Sequence, residues 1–190
     1  MLLGKKTRQE YLSFLGFYKG KIDGIIGPKT KEAYKELQKA YFTRKSDIDG
    51  IYGKNTDILL RNAFNVKRYC KNFELKEFKC GCGGKHCTGY PATLDTQLLI
   101  NVQEVRNKFG ASTITSGLRC SKHNSTVGGA SGSRHKTGKA VDIKNGTSKT
   151  ENGRRVIMAF WKTLKSWRYT YCNIDGSNAG MGTAVHIDVK

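Results

Sequence analysis

Proline is almost missing from this chain, with two residues in 190. That shortage excludes a polyproline stalk or a proline-rich linker. No long low-complexity tract occurs, and no run of 18 apolar residues, so a transmembrane helix is not expected. The start, Met1-Leu2-Leu3-Gly4-Lys5-Lys6, has no apolar stretch after its charges, which a secretory leader requires. The sequence therefore reads as a protein made in a cytoplasm that would reach any external site of action by another route. Hydrophobic residues make up only 37%, yet they recur at regular spacings, which argues for a folded chain rather than a disordered one.

Acidic residues are also scarce: 15 Asp+Glu face 34 Lys+Arg, a net charge of +19. The excess is +8 in residues 1–68 and +11 in the remainder, so neither half alone is a basic tail. Such a charge favours a polyanionic partner, whether nucleic acid, an anionic membrane or an anionic cell wall. No zinc-finger or RNP pattern supports the nucleic-acid choice. The six cysteines are Cys70, Cys80, Cys82, Cys87, Cys120 and Cys172. Three of them crowd into Cys80-Gly-Cys82-Gly-Gly-Lys-His86-Cys87. Disulfides, reduced thiols, and a structural zinc site completed by Cys120 all remain open.

The first 68 residues hold an imperfect repeat, Asp23-Gly-Ile-Ile-Gly27-Pro-Lys-Thr30 and Asp49-Gly-Ile-Tyr-Gly53-Lys-Asn-Thr56. Each copy is a turn running into a helix, and Pro28 suits a first helical turn. Ala33, Leu37 and Tyr41 mark one helix face. Tyr11, Phe14, Leu15 and Tyr18 mark another, opened by a capping box at Thr7-x-x-Glu10. Ile58, Leu59, Ala63 and Phe64 predict a third helix, and the three are expected around one small core. The segment Tyr11-Leu12-x-x-Leu15-Gly16-Phe17-Tyr18-x-Gly20-x-Ile22-Asp23-Gly24-x-x-Gly27-Pro28-x-Thr30 resembles the three-helix peptidoglycan-binding domain of bacterial and phage wall hydrolases, over about residues 4–66.

Residues 67–77 read as a short linker, dividing the chain into domains at 1–68 and 69–190. In the second, Asp95 caps a helix with Leu98, Val102, Val105 and Phe109 on one face, stopped by Gly110. Residues 113–115, 140–143 and 183–189 read as strands by their β-branched content. Val156, Phe160, Leu164 and Trp167 predict a further helix, carrying Trp161 and Trp167 as core and rim. The fold class is thus α+β: a small three-helix module followed by a domain with a central antiparallel sheet.

The chemistry concentrates between Ser116 and Asp142 and in the last strand. His135 lies in a Gly/Ser-rich loop, Asp142 begins a strand seven residues later, and His186 alternates with apolar neighbours in Ala184-Val-His186-Ile-Asp188-Val189. Two histidines and one carboxylate with an open fourth position suit a catalytic zinc ion. Residues 73–190 resemble the M15 family of zinc D-Ala-D-Ala carboxypeptidases and related endolysin peptidases. The resemblance rests on Ser-Gly-x-Arg119, His123-Asn-x-x-Val-Gly-Gly129, Ser133-x-His135-x-x-Gly138-x-Ala140-x-Asp142 and Val185-His-Ile-Asp-Val189. It implies zinc ligands at His135, Asp142 and His186, and a substrate-binding, charge-stabilising role for Arg119. Many members carry a catalytic Glu or Asp three residues before the last zinc histidine, or a His two before it; here Thr183 and Ala184 stand there. Asp188, on the strand face of His186, is a candidate general base or a partner orienting His186, and Asp175 is a weaker candidate base. His123 reads as a structural or surface histidine, and His86, beside Cys87, either joins the cysteine cluster or is exposed.

The function so implied is zinc-dependent hydrolysis of a peptide bond in peptidoglycan, by a monomer of the endolysin type released through a holin. A zinc-containing wall binder without peptidase activity is the alternative. A non-haem iron triad does not fit, because there the lone histidine follows the His-x-Asp pair.

Overall fold

The structure, a computed structural model, describes residues 1–190. Three helices come first: α1 (Lys5–Leu15), α2 (Pro28–Tyr41) and α3 (Lys54–Tyr69). Proline opens α2 at its first turn, and Gly16, at φ 91°, ends α1 in the left-handed conformation that glycine adopts without strain. Helix α1 begins at Lys5, so Thr7 and Glu10 lie inside it and the expected capping box does not form. The reason is an anchor further upstream. Leu3 N donates to Asp57 Oδ1 at 2.7 Å and Arg8 Nε to Leu3 O at 2.7 Å, holding the chain start against α3.

The repeated turns share one device. Gln9, fully buried on α1, accepts from Gly24 N at 2.7 Å and donates to Asp23 Oδ1 and Ile25 O at 3.1 and 3.0 Å. Gln38 on α2 does the same one repeat later, accepting from Gly50 N and donating to Asp49 Oδ1, Ile51 O and Thr56 Oγ1. A glutamine amide supplies donors and an acceptor on one rigid plane, so it can hold both sides of a turn whose backbone groups have no helix or sheet partner.

The remaining elements are α4 (Thr96–Phe109), β1 (Ser112–Ser116), α5 (Ser121–Thr126), β2 (Ala140–Asn145), α6 (Glu151–Trp161), β3 (Trp167–Cys172) and β4 (Val185–Val189). Asp95 caps α4 by accepting from Gln97 N and Leu98 N, and Gly110 ends it. The four strands form one antiparallel sheet in the order β1-β2-β4-β3. Val141, Ile143, Val185, Ile187 and Val189 join Leu98, Val102, Val105, Ile157 and Trp161 in the core, so α4 and α6 cover one sheet face. Helix α6 stops at Trp161, short of the sequence expectation; Leu164 lies in the following turn and Trp167 opens β3. Its buried side is Gly153, Arg154, Ile157 and Trp161, while Val156 is exposed. The i, i+4 spacing of Val156 and Phe160 therefore marked a flank of the helix.

The helical half does not stand apart from the sheet. A single cluster of buried apolar side chains runs from Leu12 and Leu37 through Leu60 and Val66 to Leu99 and Val189. Asn62 on α3, fully buried, accepts from Leu94 N at 2.7 Å and donates to Ala92 O at 2.9 Å. Where a linker was expected, α3 continues to Tyr69 and then Cys70, Phe73 and Leu75 are buried.

Candidate metal centre

Sheet register assembles the centre. Asp142 on β2 pairs directly with His186 on β4, and His186 with Tyr171 on β3. Directly opposed residues share a face, so these side chains stand in one row on the face away from α4 and α6. His135 comes from the turn Arg134–Thr137 before β2. That turn is fixed by Gly138, at φ 73° and packed on the Thr93 carbonyl, where a side chain has neither the conformation nor the room. Gly117 is also obligatory, since a Cβ there would sit 2.5 Å from the Phe78 backbone.

Three atoms converge. His186 Nδ1 lies 2.8 Å from Asp142 Oδ1, and His135 Nε2 lies 3.3 Å from each of them. Donors about 2.0–2.1 Å from a shared tetrahedral ion stand about 3.3 Å apart. The other ring nitrogens decide the tautomers. His135 Nδ1 is 2.7 Å from Gly117 O, which can only accept, so Nδ1 carries the hydrogen and Nε2 presents a lone pair. His186 Nδ1 donates to Asp142 Oδ1 at 2.8 Å, and Nε2 lies 3.6 Å from Asp188 Oδ2, so a cation at the shared point would take the place of the proton on Nδ1. A lone pair on His135, a displaceable proton on His186 and a carboxylate oxygen aimed at one point make an arrangement that a cation satisfies. Charge follows the same geometry. Burial raises the Asp142 pKa, but the His135 and His186 rings beside it outweigh that and hold the carboxyl well below its ordinary range. Burial lowers the His186 pKa, and the hydrogen bonds to Asp142 and then Asp188 outweigh that, leaving it raised. A proton and a divalent cation compete for this position.

Arg119 bounds the centre, with Nε 2.9 Å from Ser116 Oγ and Nη2 2.8 Å from Asp142 Oδ2. Tyr171 stacks on His186 at 4.6 Å between ring centres. A cleft of about 690 Å³ opens here, and Arg119, His123, Asp142, Lys144, Tyr171 and Thr183 are among its walls. Asp188 is not. Its carboxylate lies behind His186, accepting from Tyr169 N at 2.8 Å and pairing with Arg168 at 3.0 Å, away from anything bound in the cleft. Asp175 is exposed and 3.8 Å from Arg155, and His86 is exposed. Tyr171 and Lys144 were not foreseen, because only strand register brings them beside the histidines. His123, expected as a structural or surface histidine, lines the cleft while packing its ring on Gly81.

A second cluster lies apart from the first. Cys80, Cys82, Cys87 and Cys120 are all free thiols, and their sulfur atoms lie within 4.8 Å of one another.

An antiparallel sheet that presents a His/Asp/His cluster to an arginine-walled cleft, behind a helical module with paired glycine turns, defines a class that the comparisons identify. The Peptidase M15 family model matches residues 71–168, and a peptidoglycan binding domain model matches residues 6–57. The chain belongs to the Peptidase M15 family. It is 33% identical over 132 residues to the zinc D-Ala-D-Ala carboxypeptidase of Streptomyces albus G, an alignment covering 66% of this chain and 51% of that protein. The chain thus spans about half the length of the curated relative it matches.

Proposed function

We propose that this protein is a zinc-dependent peptidoglycan peptidase of the endolysin type, cutting a peptide bond of the stem peptide or its cross-link. The observation that carries the reading is the convergence of His135 Nε2, His186 Nδ1 and Asp142 Oδ1, with both histidines buried and Asp142 lining an open cleft. His135, Asp142 and His186 hold the metal on this reading. Zinc in a site of three protein ligands supplies Lewis acidity and lowers the pKa of a bound water towards 7. Arg119, fixed by Ser116 and Asp142, points a guanidinium into the cleft where a peptide carbonyl gathers negative charge. Lys144 adds positive charge to the same wall, which suits a stem peptide bearing carboxylates.

Asp188 is better assigned to positioning than to proton transfer. Its carboxylate fixes the face of the His186 ring opposite Asp142, and its bonds to Arg168 and Tyr169 N keep it in place. Residues 1–68 form the wall-binding module and residues 69–190 the peptidase in this scheme, and tethering to the wall raises the local concentration of scissile bonds.

A specific observation favours a second reading: Asp142 is the sole carboxylate lining the cleft. A metal-bearing wall binder without hydrolysis would need no other. Purified peptidoglycan incubated with the full chain separates the two. New amino termini or free D-alanine, abolished by a chelator and restored by zinc, are expected. Wall binding with neither product would leave the binder.

A further inference from the structure

Four cysteines outside the cleft lining have no part in the proposed hydrolysis, and their arrangement is built rather than incidental. Cys80, Cys82 and Cys87 come from one loop, and Cys120 is the N-cap of α5, 40 residues from Cys80. Cys80, Cys82 and Cys120 are buried and Cys87 half-buried. All four sulfur atoms lie within 4.8 Å of one another, and Cys82 and Cys87 are 3.5 Å apart. Zinc–thiolate bonds of about 2.3 Å put tetrahedral sulfur atoms about 3.8 Å apart, whereas a disulfide needs about 2.05 Å. Backbone amides already point at the sulfur atoms: Cys120 N at Cys80 Sγ, 3.3 Å; Gly89 N at Cys87 Sγ, 3.4 Å; His123 N at Cys120 Sγ, 3.5 Å. Such N–H groups stabilise thiolate charge, which four neutral thiols would not call for.

We propose that Cys80, Cys82, Cys87 and Cys120 hold one structural zinc ion that clamps the 80–87 loop to the start of α5. On binding, each thiol gives up its proton to solvent, no electrons move, and the four sulfurs close the coordination shell with no position for substrate. The clamp has a definite mechanical target. Arg119 immediately precedes Cys120, and His123 packs on Gly81 inside the loop, so both cleft-wall residues hang from the cluster. On the other side, Gly84 packs on Thr43 and Arg44, between α2 and α3, so the loop also meets the helical half. Metal occupancy of the cysteines does not depend on the hydrolytic reading; only the consequence for the cleft wall does.

The test is metal and thiol counting on the full chain purified under reducing conditions. Wild type is expected to carry about two zinc ions. The pair Cys80→Ser/Cys82→Ser and the pair His135→Ala/His186→Ala are each expected to carry about one. Cobalt loaded into the His135→Ala/His186→Ala chain should show thiolate-to-cobalt charge transfer and the strong visible bands of a tetrahedral site. If the cysteine variant does not fold, a mercurial titration of wild type replaces it, and one zinc should leave as four thiols react. A single zinc in wild type that is lost with the histidines overturns the proposal, as does a chain in which only Cys70 and Cys172 titrate as thiols after denaturation. Two zinc ions with no hydrolysis of peptidoglycan would leave the cysteine site standing and defeat the peptidase reading alone.

Discussion

In the helical half the buried polar side chains Gln9 and Gln38 direct every group at the backbone and side chains of their own turns, Asp23 to Ile25 and Asp49 to Ile51. In the α+β half, His135 and His186 each direct one ring nitrogen at a supporting group, Gly117 O or Asp188, and leave the other aimed at a shared point. Both pairs are buried polar groups, but the first holds its own turns, whereas in the second His135 Nε2 and His186 Nδ1 meet only each other and the Asp142 carboxylate at the shared point. A group whose partners are all internal serves shape, and a group with one site held open serves a ligand. The comparison predicts that removing the first kind lowers stability at unchanged chemistry, and removing the second kind does the reverse.

The largest effect should come from the open pair. His135→Ala or His186→Ala is expected to lose the metal of that centre and to reduce peptidoglycan hydrolysis to background, with little loss of thermal stability. Metal analysis beside a melting curve checks both halves of the statement. Full wall hydrolysis by either variant would remove these residues from the site. Next in size is Arg119→Ala, which takes away a charge-assisted donor aimed into the cleft. Loss of one such donor costs about 10²–10³ in turnover, so a drop of that order with zinc retained is expected on a soluble stem peptide. An unchanged rate would make the Arg119–Asp142 pair purely structural. A smaller loss, roughly 10–100-fold in metal affinity or activity, is expected for Asp188→Asn, because a group that orients a ligand works through that ligand. Recovery of rate at high zinc concentration would mark the positioning role. A loss of several orders at full zinc occupancy would return Asp188 to proton transfer.

Much of this was legible in the sequence, for physical reasons that also explain the rest. The α+β class, the turn-to-helix repeats and the caps at Pro28, Asp95 and Gly110 are local, governed by backbone rules acting over a few residues. The His135, Asp142 and His186 set was visible because its spacing is tied to a family motif, and the fold brings those three together. What could not be read depends on register and on distance through space. Strand alternation put Asp188 on the face of His186, yet it could not say that Arg168 and Tyr169 N would hold the carboxylate behind the ring. The capping box at Thr7 failed because a contact 54 residues away, Leu3 N to Asp57, starts α1 earlier. Gln9 and Gln38 passed unnoticed as ordinary polar positions on amphipathic helices, although both sit one helix before an Asp-Gly turn. The continuous core likewise hid in plain view, since Leu60 and Val66 look like any helix face until α4 packs against α3.

The smallest effect is the most informative about that core. Gln38→Ala takes the acceptor from the Asp49 and Gly50 N–H groups, while the exposed Asp49 carboxylate keeps its bond from Ile51 N at 2.8 Å and the Thr56 hydroxyl its bond to Ile51 O at 3.0 Å. Each buried group left without a partner costs about 1–3 kcal/mol. In a chain of this size, 1 kcal/mol moves Tm by about 2–4 °C, so a fall of several degrees is expected. Hydrolysis of a soluble stem peptide, per folded molecule, should stay at the wild-type rate, because the turn at Asp49 touches nothing in the cleft. Gln38→Glu is the control: it keeps the shape but sets a carboxylate against Asp49, and should be at least as damaging. The form of the melt then tests the continuity of the two halves. Because the apolar cluster joins Leu37 to Leu60 and on to Leu99 and Val189, the whole chain should melt in one cooperative transition that shifts as a unit. A new early transition confined to the helical half, with the sheet melting as before, would show that the shared cluster does not couple the halves. The Asn62 bonds to Ala92 and Leu94 would then be contacts between two separately stable bodies.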